Sequence, residues 1–323
     1  MKKWIALSAL LCLFALNISA QTGPEFIEKA IKEVNKKKFE KALDYLNEAI
    51  DLEPDSGSYY YLRGQVNYVL GINKKGASDF ATAVRKNPAD YATYYLIGQF
   101  YYLSRMFEES EDYYSQGLKL PSLHDTIRFQ MHLNRSSTRQ SVRDFDGAFS
   151  DLLTCFQIDS TQVGTMINIS SVLREKGDND EAERWLLKAE KKAPADVTIK
   201  NNLGYYYIEN KAYEKAIKYL DYVIEHFNDF PNDLERPMVR GYAHSNRGFC
   251  YFNLGNNKKA TADFENGIKY CPQNSYVYRN RALMYISQKK YDNACKDLNM
   301  AVALGFTEMY GPEVEELLKK HCR

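Results

Sequence analysis

An internal period of 34 residues constrains the fold of this chain more than any other feature. Numbered within each period, positions 8 and 20 always hold Ala, Gly or Ser, and position 24 always holds a large apolar residue. Successive starts are 34 residues apart, except for one interval of 38 and one of 44. The starts are Gly23, Gly57, Tyr91, Phe129, Val163, Val197, Gly241 and Ser275. Such self-similarity is typical of helical repeat arrays rather than of one compact core.

The spacing that recurs in every repeat predicts two packed helices. Positions 4, 8 and 11 share one helix face, and positions 20, 24 and 27 share another. Small residues at positions 8 and 20 let the two backbones approach closely, and the large residue at position 24 fills the adjoining groove. Each hairpin leaves an apolar flank that only a neighbour can cover, so the hairpins are expected to stack. The two longer intervals are expected to form surface loops.

The pattern resembles the tetratricopeptide repeat family, most closely in "YYLIGQFYYLSRMFEESEDYYSQGLKLP" and "NNLGYYYIENKAYEKAIKYLDYVI". The resemblance covers about residues 23–306. It implies an all-α, right-handed α-solenoid of about eight helical hairpins, with a concave groove lined by the first helices. We expect a signal peptide at residues 1–20, the repeat array at 21–306 and a C-terminal capping helix at 307–323.

The first twenty residues have the pattern of a secretory signal peptide. Lys2 and Lys3 precede the apolar run Trp4–Ile18, which is short for a membrane span, and cleavage is expected before Gln21. We therefore expect export, to the periplasm or alternatively to the cell exterior. The Ala20-Gln21 junction resembles that of exported Bacteroidota proteins. The net charge of +1 becomes −1 without the two lysines, so neither nucleic-acid binding nor stable membrane insertion of the mature chain is expected.

Two cysteines near the C-terminus are candidates for a disulfide. Cys295 lies in the second helix of the last repeat and Cys322 lies in the predicted capping helix, so the two meet if that helix docks on the repeat. Two free thiols are the alternative. No CxxC pair, HExxH, GxSxG or phosphate-binding loop occurs, so we predict no metal, no cofactor and no catalytic activity.

Charge at two repeat positions is correlated. In four repeats position 7 is Arg and position 23 is Asp, whereas the other four have an aromatic residue at position 23. We predict ion pairs that link the two helices of one hairpin; independent solvated charges are the alternative. The predicted pairs are Arg63 with Asp79, Arg135 with Asp151, Arg247 with Asp263, and Arg281 with Asp297.

The resemblance implies that positions 2, 5, 6, 9, 12 and 13 face the groove. Position 6 is Asn in five consecutive repeats: Asn134, Asn168, Asn202, Asn246 and Asn280. An amide both donates and accepts hydrogen bonds, so this ladder could bind an extended peptide backbone. The alternative is that these amides satisfy neighbouring backbone groups.

Aromatic residues occupy groove positions in two regions. Repeats 2 and 3 carry Tyr61, Tyr68, Tyr95 and Tyr102, and a second apolar stretch includes Phe249. Such rings either bind a ligand or pack against the adjacent helix. We therefore predict a non-catalytic scaffold that binds an extended peptide or a partner protein in its groove. The alternatives are an envelope component that acts by self-association and an enzyme with a dispersed site.

Overall fold

The computed structural model describes residues 23–121, 123–229 and 236–322, and the predicted signal peptide lies outside these residues. The described part of the chain is helical and contains no strand. The helices are α1 (Gly23–Asn35), α2 (Phe39–Leu52), α3 (Gly57–Val69), α4 (Asn73–Lys86), α5 (Tyr91–Leu103), α6 (Phe107–Leu118), α7 (Asp125–Ser141), α8 (Phe145–Ile158), α9 (Val163–Lys176), α10 (Asn179–Lys192), α11 (Val197–Glu209), α12 (Tyr213–Glu225), α13 (Arg236–Asn253), α14 (Asn257–Tyr270), α15 (Ser275–Ser287), α16 (Tyr291–Ala303), α17 (Phe306–Tyr310) and α18 (Glu313–His321).

Helices α1 to α16 form consecutive hairpins, one in each predicted repeat, which confirms the predicted all-α hairpin fold. Six of the eight first helices begin at the predicted repeat start. The other two begin earlier, α7 at Asp125 and α13 at Arg236, so the expectation that both insertions form only surface loops is wrong. The last residues of each insertion form the first turn of the helix that follows it.

The chain divides into two compact units, one through Thr165 and one from Met166. A buried cluster in unit 1 includes Tyr61, Phe80 and Ile97, from successive hairpins. The corresponding cluster in unit 2 brings α14 to α18 together. Val314 of α18 is fully buried there, so α18 covers the apolar flank that the last hairpin leaves open.

The small residues at positions 8 and 20 lie where two helices touch. Ser110 Oγ donates a hydrogen bond of 2.9 Å to the carbonyl oxygen of Gly98 on the facing helix. A Cβ atom added to Gly98 would lie 2.8 Å from the ring of Tyr114, which occupies position 24. The recurrence of small residues therefore reflects close helix packing rather than flexibility.

The turn inside each hairpin has one geometry in all eight repeats. The residue at position 15 has a positive φ, between 57° and 97°. Glycine adopts this conformation freely, whereas other residues incur roughly 1 kcal/mol. Three repeats have glycine and five have a basic residue, whose charge complements the C-terminal end of the first helix. These residues are Gly71, Gly177 and Gly255, and Lys37, Arg105, Arg143, Lys211 and Lys289.

Candidate functional site

A cavity of about 450 Å³ lies within unit 2, among the first helices α11, α13 and α15, with α17 at one side. This volume falls within the range of about 300–1,000 Å³ that is typical of ligand sites. We call it the C-terminal pocket. Its lining residues are Asn201, Asn202, Tyr205, Ile208, Glu209, Val239, Tyr242, Asn246, Phe249, Tyr276, Arg279, Asn280 and Tyr310.

The repeat pattern explains why these side chains meet. Apart from Val239 and Tyr310, every lining residue stands at position 2, 5, 6, 9, 12 or 13 of its repeat, the positions that the family resemblance places in the groove. Residues at these spacings share one face of a helix. Asn201, Tyr205 and Arg279 were not singled out from the sequence, although their repeat positions could have identified them. Val239 and Tyr310 lie outside the period, so no repeat position applies to them.

The pocket contains three of the five asparagines at position 6. Asn202, Asn246 and Asn280 line it, whereas Asn134 and Asn168 do not. Asn202 Nδ2 donates to the carbonyl oxygen of Thr198 at 2.9 Å, which leaves its own oxygen available as an acceptor.

A neighbouring amide offers another acceptor. Asn201 Oδ1 is buried and accepts no hydrogen bond from the described residues. A buried acceptor without a donor is unfavourable, so an N–H group brought by a ligand would stabilise this site.

Five aromatic side chains form the apolar part of the pocket. The rings of Tyr276 and Tyr310 are 4.5 Å apart between centroids, whereas Tyr205 and Tyr242 are about two-fifths exposed. Phe249 completes the set. Burial, followed by the Glu209 carboxylate, raises the pKa of Tyr205 to about 12. Burial also raises the pKa of Tyr242 and of Tyr276, so these phenols are uncharged at neutral pH.

The two charged residues that line the pocket are both paired. Arg279 donates to both carboxylate oxygens of Glu313 on α18, with Nε 3.1 Å from Oε2, and its Nη1 donates to Asn280 Oδ1 at 2.9 Å. Arg174 Nη1 on α9 lies 2.9 Å from each carboxylate oxygen of Glu209. Neither Glu313 nor Arg174 lines the cavity, so the pocket wall has paired charges whose partners lie behind it.

The aromatic groove residues of unit 1 are mostly packed. Tyr61 is 2% exposed, its ring is stacked on Phe80 at 5.7 Å, and its hydroxyl accepts a hydrogen bond of 2.7 Å from Gln65 Nε2. For Tyr61 the structure favours the packing alternative that the sequence left open, because its ring fills the space beside Phe80. Tyr68 also stacks on Phe80, at 5.5 Å, and shares a hydrogen bond of 2.9 Å with the hydroxyl of Tyr101.

The other two tyrosines of this predicted wall are partly buried. The ring of Tyr95 lies 6.2 Å from that of Tyr114, and the ring of Tyr102 lies 5.8 Å from that of Phe107. Unit 1 therefore uses these rings largely for packing between helices, the alternative that the sequence left open.

All four predicted Arg–Asp pairs are bidentate: Nε and Nη2 of each arginine both donate to the carboxylate of its aspartate. The shortest N–O distances are 2.7 Å for Arg63–Asp79, 2.6 Å for Arg135–Asp151, 2.8 Å for Arg247–Asp263 and 2.8 Å for Arg281–Asp297. The aspartates are buried, and the arginines are partly buried. This arrangement joins the two helices of one hairpin.

Two of these aspartates also contact a histidine. Nδ1 of His132 lies 2.7 Å from Asp151 Oδ1, and Nδ1 of His244 lies 2.9 Å from Asp263 Oδ1. Burial acts to raise the pKa of each carboxyl, but the hydrogen bonds and charges of the arginine and histidine outweigh it. The pKa of Asp151 and the pKa of Asp263 are therefore lowered.

The sulfur atoms of Cys295 and Cys322 are bonded at 2.00 Å, which fixes the end of α18 to α16. Cys155 and Cys250 are buried free thiols, and burial raises the pKa of each to about 12, so neither is a reactive thiolate at neutral pH. Across residues 23–121, 123–229 and 236–322, His, Cys, Asp and Glu side chains form no group of three that could bind a metal ion. No helix in these same ranges has the length and apolar character needed to span a bilayer.

Family models of the tetratricopeptide repeat match residues 34–56, 91–122, 168–229 and 241–274. Together with the hairpin fold, these matches support the assignment of tetratricopeptide repeats over these residues. Arrays of this kind are typical of protein–protein interaction scaffolds. No curated protein matches the sequence.

Solved structures share the fold. The chain is similar to one in the APC/C heterotetramer Cut9–Hcn1, with 16% identity and a TM-score of 0.59 over 92% of this chain and 55% of that one. It is also similar to yeast Tom70, with 15% identity and a TM-score of 0.58 over 99% and 69% of the two chains. A tetratricopeptide repeat protein from Parabacteroides merdae has 17% identity and a TM-score of 0.51 over 94% and 100%. At these identities the likeness concerns the fold alone.

Proposed function

We propose that this chain is a non-catalytic adaptor that binds an extended peptide segment of a partner protein in the C-terminal pocket. The observation that carries the proposal is the meeting of three repeat-related asparagines and five aromatic rings around one cavity. Rings supply contact area at low entropic cost, and amides pair with peptide groups of any sequence.

The polar groups of the pocket suit a peptide backbone in particular. Asn201 Oδ1 is a buried acceptor without a donor among the described residues, and Asn202 retains a free acceptor oxygen. A peptide backbone presents N–H donors and carbonyl acceptors at regular intervals, so one extended segment could pair with both amides. The pocket is lined mainly by amides and aromatic rings, and its lining includes no activated nucleophile, so it favours binding over catalysis.

The proposal is tested by panning a random nonapeptide phage library against the purified protein and measuring the affinity of an enriched peptide by fluorescence anisotropy. The double variant Asn202→Ala, Asn246→Ala should weaken binding roughly tenfold or more, because each lost hydrogen bond contributes about 1 kcal/mol. Its unfolding midpoint should change little, since both side chains are only partly buried.

The matched control is Asn299→Ala. Asn299 is an exposed asparagine on α16, at repeat position 25, which is not a groove position, and it does not line the pocket. Its removal should leave the affinity unchanged. An enriched peptide that binds the double variant as tightly as the wild-type protein would refute the peptide-binding role of the pocket.

We also propose that the chain acts after export to the periplasm, as its Bacteroidota-like leader suggests. The bond between Cys295 and Cys322 supports this, because disulfides persist in oxidising compartments. Cell fractionation and intact mass of the recovered protein test it. A mature chain that begins at Gln21 and carries one disulfide is expected, and a cytosolic, reduced protein would contradict export.

A further inference from the structure

Both charged groups at the C-terminal pocket are neutralised by partners outside its wall. We propose that the pocket therefore selects a bulky uncharged side chain, aromatic or aliphatic, on the bound peptide segment, and that it discriminates against carboxylate and ammonium groups. This inference rests on the proposed peptide-binding function and specifies its ligand class.

The hydrogen-bonding capacity of Arg279 is already engaged at each of its three guanidinium nitrogens. Nε and Nη2 donate to Glu313, and Nη1 donates to Asn280. The side chain is 18% exposed. A ligand carboxylate would meet a guanidinium whose charge Glu313 already compensates, so it would gain little for the water that it loses.

Glu209 is compensated in the same way from the other side. Both of its carboxylate oxygens accept from Arg174, whose guanidinium also lies 5.0 Å from the centre of the Tyr205 ring. A lysine or arginine of the ligand would meet a carboxylate that is already paired. Much of the remaining pocket wall is aromatic, with rings from Tyr205, Tyr242 and Phe249, and such a wall favours an apolar or aromatic side chain.

The location of the two neutralising residues allows a direct test. Glu313 on α18 and Arg174 on α9 do not line the cavity, so substituting them changes the charge of the wall without changing its shape. Glu313→Gln should leave Arg279 with an uncompensated positive charge. Arg174→Gln should leave Glu209 with an uncompensated negative charge. The two variants should therefore shift ligand preference in opposite directions.

The probes are three synthetic nonapeptides: a peptide enriched by the wild-type protein, and the same peptide with its central apolar or aromatic residue replaced by Glu or by Lys. Wild-type protein should bind both charged peptides at least tenfold more weakly than the parent. Glu313→Gln should recover binding of the Glu peptide by about fivefold or more and not that of the Lys peptide. Arg174→Gln should do the reverse.

Glu316→Gln is the control for the first variant, because Glu316 is an exposed carboxylate of α18 that does not contact Arg279. It should leave all three affinities unchanged. Circular dichroism and the unfolding midpoint check that each variant is folded, and the parent peptide checks that its pocket still binds.

Two outcomes would overturn the inference: equal binding of the three peptides by the wild-type protein, or a shift in the same direction in both variants. Either result leaves the proposed peptide binding intact as long as the Asn202→Ala, Asn246→Ala variant loses affinity. Failure of that double variant to lose affinity would instead reject the proposed function itself.

Discussion

The same two repeat positions have opposite roles in the two units. In the second repeat, within unit 1, positions 5 and 6 are Tyr61 and Leu62, and both side chains are buried in the hydrophobic core. In the sixth repeat, within unit 2, they are Asn201 and Asn202, which line a cavity of about 450 Å³. The cavity beside Leu62 has a volume of only about 10 Å³, close to the minimum for one water molecule.

This comparison separates what the repeat geometry determines from what the side chains determine. The geometry brings positions 5 and 6 to the inner side of the first helix in both units. Large apolar side chains then fill the space between neighbouring first helices, whereas shorter polar ones leave it open to a ligand. Both units contain ion pairs that join the two helices of one hairpin, such as Arg63–Asp79 in unit 1 and Arg247–Asp263 in unit 2.

The largest expected effect comes from exchanging the residue at position 5. Tyr61→Ala should destabilise unit 1 by about 4 kcal/mol, because it removes a buried ring and leaves Gln65 Nε2 without its acceptor. Asn201→Ala should cost under about 1 kcal/mol, since its buried oxygen has no partner to lose among the described residues. Hydrogen exchange of α3 and α11 measures each effect locally.

Peptide binding provides the control for this pair of variants. Tyr61→Ala should leave the affinity of an enriched peptide unchanged, and Asn201→Ala should lower it severalfold. If Tyr61→Ala instead weakened binding and left the stability of α3 intact, the contrast between a packed and an open region would be wrong.

A smaller effect on stability is expected from the Arg–Asp ion pairs, which both units contain. Asp151→Ala in unit 1 and Asp263→Ala in unit 2 should each cost about 3 kcal/mol, since each removes a buried carboxylate that an arginine and a histidine share. Similar costs would show that the hairpin link is independent of the pocket. A cost confined to unit 2, measured by hydrogen exchange of both hairpins, would show that the link serves the binding site instead.

These two aspartates also predict a dependence of stability on pH. Their folded-state pKa values lie below the ordinary value of about 3.9, so their contribution is complete above that pH and is lost as pH falls through the lower folded values. Asp151→Asn and Asp263→Asn should therefore flatten the loss of stability below about pH 4. Unfolding midpoints measured from pH 5 to pH 2 would show this, and parallel curves for wild type and variants would contradict it.

The sequence predicted the hairpins well and the pocket only in part. Periodicity locates the positions that face inward, and it placed Asn202, Asn246 and Asn280 together. It could not show that Tyr61 is packed whereas Asn201 lines a cavity, because position 5 has the same direction in both repeats and the period does not reveal how neighbouring side chains fill the space. Tyr310 could not be predicted either, since no other repeat has an equivalent residue.

The contribution of the C-terminal helices to the pocket can be tested through the disulfide. Cys322→Ser should lower the stability of unit 2 by about 2 to 3 kcal/mol, because it opens a link between residues 27 apart in sequence. It should also weaken peptide binding, since Tyr310 and Glu313 lie on the helices that the bond secures.

The reduced wild-type protein should bind peptide as weakly as Cys322→Ser. Cys155 is a buried free thiol in unit 1, so Cys155→Ser should leave binding unchanged and serves as the control. Affinity that is the same in oxidised and reduced protein would show that α17 and α18 stay in place without the bond, and the pocket would then depend on the repeats alone.

The smallest expected difference compares the close contact between helices in the two units. A Cβ at Gly98 would lie 2.8 Å from the buried Tyr114 ring, whereas a Cβ at Gly204 would lie 3.0 Å from the nearest carbon of Leu220. A rigid buried ring yields less than a leucine side chain, which can rotate, so Gly98→Ala should cost about 1 to 2 kcal/mol. Gly204→Ala should be close to neutral, because the gain in helix propensity offsets a smaller clash. Hydrogen exchange of α5 and α11 would measure both, and equal costs would mean that the two units are packed equally tightly and differ only on the face that lines the pocket.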